Sequence, residues 1–338
     1  MIKMGGFWEE NRVLVTGGGG FIGSHLVELL VRQGAKVRVA DDFSRGSMNN
    51  LSSCLDQIEV EKTDLKDPAA CRLVCRDIDV VLGLAGRVAG IQFNQSHSAE
   101  MFYSNSRISL NMLEAARQVD AKRYLVVSSA CVYRRACSIP TPEEEGFLDN
   151  PEPTNWGYGW AKRFAEIQGM AYASQYGMKV GIVRPYNAYG PRDYFALDEA
   201  HVIPSLIARV AEKTDPLVVW GSGKQTRSFI YAKDVASGMA LAIEKHPSPE
   251  PINIGSDEEV EIRDLVEVIC QAFKFRPRIV FDTTRPEGNQ RRKPDVSKAR
   301  TLLNFSSTTR LSRGIDETVE WFMNVHRRSN NLNAPLPR

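Results

Sequence analysis

The sequence predicts an α/β fold, a doubly wound parallel sheet with a smaller C-terminal domain, and three observations support this prediction. Segments of β type alternate with segments of helical type up to about residue 185, which is typical of a parallel sheet with crossover helices. A glycine-rich stretch separates the first strand from the first helix. After residue 185 the alternation gives way to turns, prolines and aromatic residues, so a second unit of different design is expected there.

The first domain is predicted to contain six strands and three long helices. Short apolar runs indicate buried strands, and these cover residues 12–16, 36–40, 58–61, 79–84, 124–128 and 179–184. Apolar residues at helical spacing predict helices over residues 21–32, 105–118 and 155–176.

The second part of the chain is predicted to hold fewer elements and to return once to the first. Helices are expected at residues 203–212, 263–273 and 311–327, with short strands at 229–231 and 251–254 that could rejoin the sheet. We therefore expect the first domain to comprise residues 11–185 and 227–257. The second would comprise 186–226 and 258–328, followed by a mobile polar tail at 329–338.

Composition excludes several classes of protein. The 338 residues carry 43 Lys and Arg against 41 Asp and Glu, a net charge of +2, which is no electrostatic footprint for nucleic acid or a membrane surface. No run approaches the roughly 20 apolar residues of a membrane span, and residues 1–11 do not resemble a signal peptide. We expect a cytoplasmic protein without a membrane partner.

The cysteines and histidines show no metal-ligand spacing, so no metal site is predicted. Cys54, Cys71, Cys75 and Cys270 are interpreted as small buried hydrophobic residues. The five histidines are scattered along the chain.

The glycine triplet Gly17, Gly20 and Gly23 lies between a strand and a helix, the context that a dinucleotide-binding loop requires. Glycines there allow a tight turn and let a pyrophosphate approach the N–H groups of the helix N-terminus. Asp41 follows the second strand, where a carboxylate accepts hydrogen bonds from a ribose and repels a 2′-phosphate. The cofactor is therefore predicted to be NAD rather than NADP, although Arg45 nearby weakens this distinction.

A serine, a tyrosine and a lysine form the predicted redox site. Tyr158 and Lys162 are four residues apart on one helical face, and a neighbouring ammonium is expected to lower the phenol pKa. Such a base can take a proton from a sugar hydroxyl while hydride leaves for nicotinamide. Ser129, which follows the fifth strand, is expected to supply a further hydrogen bond.

These motifs together resemble the extended short-chain dehydrogenases/reductases of the nucleotide-sugar epimerase/dehydratase type. The similarity covers residues 11–325 and is carried by TGGGGFIG, DDF, TDL, SSACVY, YGWAK and RPYNAYGPR. It implies a Rossmann domain with bound NAD, a substrate-binding domain that closes over a nucleotide sugar, and a homodimer formed through two helices of each subunit. The cofactor-binding residues that it implies are Gly17, Gly20, Phe21, Ile22, Gly23, Asp41, Asp64, Leu65, Ala85, Tyr158, Lys162, Tyr186, Asn187 and Ala188. For Asp64 the residue pattern leaves a helix-cap or turn role equally open.

Two further residues favour particular branches of this family. Residues 85–95 and 220–229 and the position of Cys131 resemble GDP-mannose 3,5-epimerase and GDP-fucose synthase, in which a cysteine beside the sugar acts as an acid or base. His201, in the segment AHVIP, matches the partner residue of the synthase, whereas the plant-type epimerase has a lysine. A ketone at C4 acidifies the hydrogens on C3 and C5, and inversion then needs an acid and a base. The alternatives are a packed core thiol and a helix N-terminal surface residue.

Arginines in the C-terminal part are candidates for binding the diphosphate of the substrate. Arg285 and Arg291 belong to this group, of which at least two members are expected to be ordinary surface charges. Trp220 is predicted to cover the nucleotide. The substrate-binding residues predicted are Arg87, Val88, Asn187, Val202, Arg209, Trp220, Arg227 and Arg292.

The leading hypothesis is an epimerase with tightly bound NAD that oxidises C4 of a GDP-hexose or related nucleotide sugar, inverts C5, with inversion of C3 left open, and reduces C4 again. One alternative is a reductase of the GDP-fucose synthase type, which consumes NADPH on a 4-keto-6-deoxy sugar. Another is an epimerase acting at C4 only, or a dehydratase. A non-catalytic dinucleotide-binding protein is disfavoured because Tyr158 and Lys162 are both present.

Overall fold

The computed structural model describes residues 6–196, 200–285 and 289–332, apart from the side chains of residues 91, 92 and 327–332. In chain order its strands are β1 (Arg12–Thr16), β2 (Lys36–Asp41), β3 (Ile58–Lys62), β4 (Val80–Gly83), β5 (Arg123–Val127), β6 (Lys179–Pro185), β7 (Ala188–Tyr189), β8 (Leu217–Trp220), β9 (Thr226–Arg227), β10 (Ile230–Tyr231), β11 (Pro251–Ile254), β12 (Val260–Glu261), β13 (Ile279–Asp282) and β14 (Arg291–Arg292). The helices are α1 (Phe21–Arg32), α2 (Pro68–Val74), α3 (Ile91–Ser96), α4 (Ser98–Gln118), α5 (Trp156–Tyr176), α6 (Val202–Ala211), α7 (Ala232–Lys245), α8 (Ile262–Ala272), α9 (Ser297–Leu303) and α10 (Leu311–Leu332).

The six strands predicted in the first domain form a parallel sheet, and β11 joins it beside β6. The order is β11-β6-β5-β4-β1-β2-β3. The chain runs outward from β1 in both directions, so the crevice between β1 and β4 is a topological switch point, where open α/β sheets bind their ligands. The predicted fold class is thereby confirmed.

Helices cover both faces of the sheet. On one face α1 packs against α7, with Leu30 and Met239 in a shared core. On the other face α4 packs against α5 and α2, with Met112 and Ala165 in a second core. Helix α7 was missed in the sequence, because it is small-residue-rich and buried on nearly all sides and so lacks the one-sided period by which a surface helix is recognised.

Several predicted boundaries were wrong. Helix α4 begins at Ser98 rather than at residue 105. The prediction started too late because the first turns are mostly polar, although Met101 among them is buried. Strand β10 pairs with β7 in a separate two-stranded ladder and does not rejoin the central sheet. Helix α10 continues to Leu332, so the first residues of the predicted tail are helical, and residues 333–338 lie outside the described part of the chain.

The C-terminal elements share a third core. It is built from apolar residues of α6, α8, α10 and β8, among them Leu206, Leu265 and Ile315. The short strands β12, β9 and β14 form a small sheet beside it. The domain boundaries given above remain a prediction. Among the described residues, no helix has the length and apolar character needed to cross a membrane.

Candidate active site

The glycine loop between β1 and α1 has the shape that a pyrophosphate requires. Gly17 has φ of +68°, and a Cβ on Gly23 would lie 2.1 Å from the carbonyl oxygen of Gly17. No side chain caps the N-terminus of α1 at Gly20, which leaves its N–H groups directed at the crevice. A helix N-terminus of this kind favours a phosphate, so the residues present fit the dinucleotide that the sequence predicts.

Asp41 supports this loop from the end of β2. Its Oδ2 accepts a hydrogen bond from the N–H of Gly19 at 2.9 Å, and its Oδ1 accepts one from Phe43 at 2.8 Å. Burial raises the pKa of Asp41, and these N–H groups oppose that effect. Each carboxylate oxygen retains a second lone pair for a ribose hydroxyl.

Arg45 and Asp64, the two other residues considered near the adenosine of the cofactor, each interact with another residue of the protein. The guanidinium carbon of Arg45 lies 4.0 Å from the centre of the Tyr194 ring. Asp64 accepts a hydrogen bond from the N–H of Lys66 at 2.9 Å and is exposed, so it is a turn residue. Its predicted contact with adenine remains a prediction.

Tyr158, Lys162 and Ser129 converge beyond the end of β5. The ammonium of Lys162 donates to the carbonyl of Val127 at 2.9 Å and lies 5.4 Å from the centre of the Tyr158 ring. Tyr158 is buried, and the Ser129 side chain is near enough to act on its pKa. The sequence-predicted trio therefore meets at the carboxyl edge of the sheet, beside the switch point.

The predicted lowering of the phenol pKa is wrong for this structure. Burial raises the pKa of Tyr158, Cys131 adds to the increase, and the Ser129 hydroxyl acts in the opposite direction. The Lys162 ammonium is directed at a backbone carbonyl instead, and burial lowers its own pKa to about 8.

Cys131 lies in the same cluster, which argues against a packed core thiol. It belongs to a short 3₁₀ turn, Ala130–Val132, whose N-cap is Ser129, and its N–H donates to the Ser129 hydroxyl at 3.1 Å. Arg292 donates to the carbonyl of Ala130 at 2.6 Å, and the Cys131 side chain acts electrostatically on its guanidinium. Cys131 is half-buried, whereas Cys54, Cys71, Cys75 and Cys270 are buried as predicted.

His201 occupies the position just before α6 and is exposed. Burial raises the pKa of Asp193 to about 6, and the charges of His201 and Arg45 oppose that increase. The charge of His201 thus acts on Asp193, whereas Cys131 acts electrostatically on Arg292 and Tyr158. Their joint action on a sugar remains a prediction.

Two of the predicted substrate arginines are neighbours in the small sheet. Arg227 in β9 and Arg292 in β14 are register partners on parallel strands. Arginine side chains suit bidentate contacts with a diphosphate, so this pair of positions fits the predicted substrate-binding role.

The other arginines of the C-terminal part have separate roles. Arg209 donates to the carbonyls of Val218 and Ser205, which is a structural use. Arg291 is paired with Glu259 and Arg285 with Asp282, and both arginines are exposed. These two fit the expectation of ordinary surface charges. Arg285 also lies 5.5 Å from the ring centre of Trp220, which is 55% exposed.

Comparison with known proteins decides the family. The profile described as the NAD dependent epimerase/dehydratase family matches residues 13–255. The chain belongs to this family.

Relatives within the family differ in reaction and in nucleotide. The chain is 32% identical over 325 residues to a dTDP-4-dehydro-6-deoxy-D-allose reductase of a Streptomyces species, covering 95% of this chain and 98% of the relative. It is 32% identical to a GDP-L-fucose synthase of Sinorhizobium fredii, covering 93% and 96%. The solved UDP-glucose 4-epimerase of Thermotoga maritima with UDP-glucose superposes with a TM-score of 0.85 at 27% identity, covering 93% and 99%. The protein is an NAD-dependent nucleotide-sugar enzyme.

The remaining residues predicted for the site have the following positions, and their roles remain predictions. Tyr186 is buried and Asn187 donates to the carbonyl of Ser228 at 2.8 Å. Arg87 is paired with Glu100. The others are Phe21 and Ile22 at the start of α1, Leu65 before α2, Ala85 and the exposed Val88 after β4, Ala188 in β7, and the exposed Val202 at the start of α6.

Two residues of the site escaped the sequence analysis. Thr16 accepts a hydrogen bond from the N–H of Ala85 at 3.0 Å, which joins β1 to the chain after β4 at the switch point. Asn105 donates to the carbonyl of Arg87 at 3.1 Å. A polar residue in the buried stripe of α4 was the available signal for Asn105. No cluster of three or more metal-ligating side chains occurs among the residues that the structure describes.

Proposed function

We propose that the protein is a nucleotide-sugar epimerase that works through a 4-keto intermediate and inverts C5, with C3 also inverted if the reaction is of the GDP-mannose 3,5-epimerase type. The observation that carries this proposal is the position of Cys131. Its N–H donates to the Ser129 hydroxyl, and Arg292 donates to the carbonyl of the neighbouring Ala130. Oxidation at C4 alone would need only Ser129, Tyr158 and Lys162. A thiol beside these three residues is therefore available for a second proton transfer, which inversion at C5 requires.

The proposed reaction has no net oxidation. Bound NAD supplies reversible hydride transfer at C4 of the sugar. Tyr158 takes the proton of the 4-hydroxyl as the ketone forms and returns it at the end, while Ser129 bonds the same oxygen. The ketone acidifies the hydrogen on C5, so a base removes that proton and an acid delivers one to the opposite face. Cys131 and His201 are our candidates for these two groups.

The predicted substrate-binding residues support a nucleoside diphosphate sugar as the substrate. Arg227 and Arg292 are adjacent cations, and Arg292 also reaches the Cys131 turn. An anion bound by Arg292 is therefore close to the reacting groups. Trp220 offers an exposed aromatic face for the base. Our preference for a GDP-sugar rests on the resemblance and on the similarity to GDP-L-fucose synthase.

A reductase is the second candidate function. The relatives described above include a 4-dehydro-6-deoxy sugar reductase and a GDP-L-fucose synthase, and His201 matches the latter in the segment AHVIP. Such an enzyme would consume NADPH on a 4-keto-6-deoxy sugar. Asp41, buried against Gly19, opposes a 2′-phosphate and favours the epimerase.

The test is a panel of GDP-, UDP-, dTDP- and CDP-sugars incubated with the purified protein in deuterated water, with products and label positions read by NMR. The proposal predicts an epimer that carries deuterium at C5 and no change in cofactor redox state. Stoichiometric NADPH consumption on a 4-keto sugar would establish the reductase instead. A 4-epimer without label at C3 or C5 would establish an epimerase acting at C4 only.

We also propose that the protein forms a homodimer through α4 and α5. These helices pack side by side and expose large apolar side chains, which are Phe102, Tyr103, Leu110, Trp156, Ile167 and Tyr176. Exposed apolar patches of this kind mark interaction surfaces. The family resemblance supplies the partner, a second copy of the same chain.

A further inference from the structure

Residues 191–194, which follow β7, are tied to the first domain at three points. The Nε2 of His25 lies 3.0 Å from the carbonyl oxygen of Pro191. Arg192 donates to Glu28 at 2.5 Å. The Tyr194 ring lies under the guanidinium of Arg45, whose carbon is 4.0 Å from the ring centre.

These three points lie on both sides of the glycine loop. His25 and Glu28 belong to the first two turns of α1, whose N-terminus begins at the loop. On the other side, Gly46, the residue after Arg45, packs directly against the loop. A Cβ added to Gly46 would lie only 2.7 Å from the carbonyl carbon of Gly19. The N–H of Ser47 also donates to the Gly19 carbonyl at 2.9 Å. Residues 191–194 therefore run from one flank of the cofactor loop to the other.

We propose that residues 191–194 are a clasp that retains the dinucleotide in the cleft, and that the Arg45–Tyr194 contact is its closure. The cofactor cannot leave the loop between α1 and residues 41–47 unless this contact opens. The inference rests on NAD as the cofactor and does not depend on which sugar is the substrate.

The clasp gives Arg45 a role different from the one that its sequence position suggested. An arginine after β2 is a potential reader of a 2′-phosphate, but here its guanidinium covers an aromatic ring of the segment after β7. Asp193 lies next to this contact, and the charge of Arg45 acts on its carboxylate. A retained cofactor suits a cycle in which the hydride is returned to the same sugar.

The test measures NAD dissociation directly, without substrate. Protein loaded with a fluorescent NAD analogue is chased with excess NAD, and the release rate is followed for the wild type, Tyr194→Leu, Arg45→Met and the double variant. An exposed cation–π contact is worth about 0.5–1 kcal/mol, so each single variant should release the analogue roughly 2- to 5-fold faster. The double variant should be no faster than the faster single variant, because both remove one contact.

The control is Phe7→Leu, which removes a comparable pair, since Arg123 lies 4.3 Å from the ring centre of Phe7 at the amino edge of the sheet, opposite the cofactor loop. Its release rate should equal that of the wild type. Glu28→Gln tests the second point of the clasp and should also accelerate release. Thermal unfolding confirms that each variant is folded. A wild-type rate in Tyr194→Leu, or single effects that multiply in the double variant, would overturn the proposal.

Discussion

Arg184 and Glu166 form a two-pronged ion pair with both side chains fully buried, at 2.8 Å from Nε to Oε1 and 2.7 Å from Nη2 to Oε2. Glu166 lies one turn after Lys162 on α5, and Arg184 lies near the end of β6. Ser128 and Tyr133 hydrogen-bond to the same pair. The pair therefore joins α5 to the sheet directly behind the redox residues.

Removing one partner of this pair should be costly. Arg184→Gln leaves the Glu166 carboxylate buried without its cation, which lowers the free energy of unfolding by about 3–5 kcal/mol. Urea denaturation followed by circular dichroism measures the loss. The matched control is Arg300→Gln, because Arg300 pairs with Asp257 on the exposed surface and its loss should cost less than about 1 kcal/mol. Equal losses in the two variants would contradict the assignment.

The stability of the protein should fall in mild acid because of His25. Burial lowers the pKa of His25 to about 4, Arg192 adds to the effect, and the Pro191 carbonyl and Glu28 oppose it. The unfolded chain binds a proton near pH 6.5, so the native state loses stability as the pH falls from about 6.5 to 4. One proton gives a slope of at most about 1.4 kcal/mol per pH unit. Urea titrations of His25→Gln should show a shallower dependence than the wild type, and an unchanged slope would refute this role.

Tyr158→Phe should remove proton transfer to and from the 4-oxygen of the sugar. Turnover should fall by roughly 10²–10⁴-fold, while the amount of NAD that copurifies stays the same because the glycine loop is intact. Steady-state rates and the NAD content after acid extraction measure the two effects. Tyr172→Phe is the control, since the Tyr172 hydroxyl bonds Glu114 between α5 and α4. Undiminished turnover in Tyr158→Phe would exclude the catalytic assignment.

Arg227→Met should weaken binding of the nucleotide sugar more than it slows the chemistry. A charged hydrogen bond contributes about 1.5–3 kcal/mol, so KM should rise roughly 10- to 100-fold. Arg291→Met provides the comparison, because Arg291 is already paired with Glu259 at 2.6 Å on the surface and its KM should change little. A larger effect at Arg291 than at Arg227 would mean that the phosphate lies elsewhere.

The double variant Leu110→Glu/Ile167→Glu should be monomeric at concentrations where the wild type is dimeric. It places charges on the exposed apolar faces of α4 and α5, where burial against a second copy would be costly. Sedimentation equilibrium measures the mass. Leu73→Glu changes an equally exposed leucine on α2 and should leave the dimer intact. A wild-type protein that sediments as a monomer would refute the dimer itself.

Local patterns were sufficient for the sheet and for the proximity of Ser129, Tyr158 and Lys162, whose redox role remains a prediction. Strand lengths, the glycine loop and the i, i+4 spacing of Tyr158 and Lys162 are properties of short segments. Helix α7 and the pKa of Tyr158 were beyond such patterns, because both depend on burial by distant parts of the chain. The contact between Arg45 and Tyr194 joins residues far apart in sequence, and no local pattern indicates it.

The hydrogen bond from Arg292 to Ala130 spans 162 residues. The glycine loop and the redox trio belong to the first half of the chain, but the turn that carries Cys131 is secured by a residue close to its end. In a nascent chain the glycine loop and residues 129, 158 and 162 are thus made long before the turn of Cys131 is secured. With the role proposed above for Cys131, proton abstraction from carbon becomes possible only after Arg292 has been synthesised and has folded back.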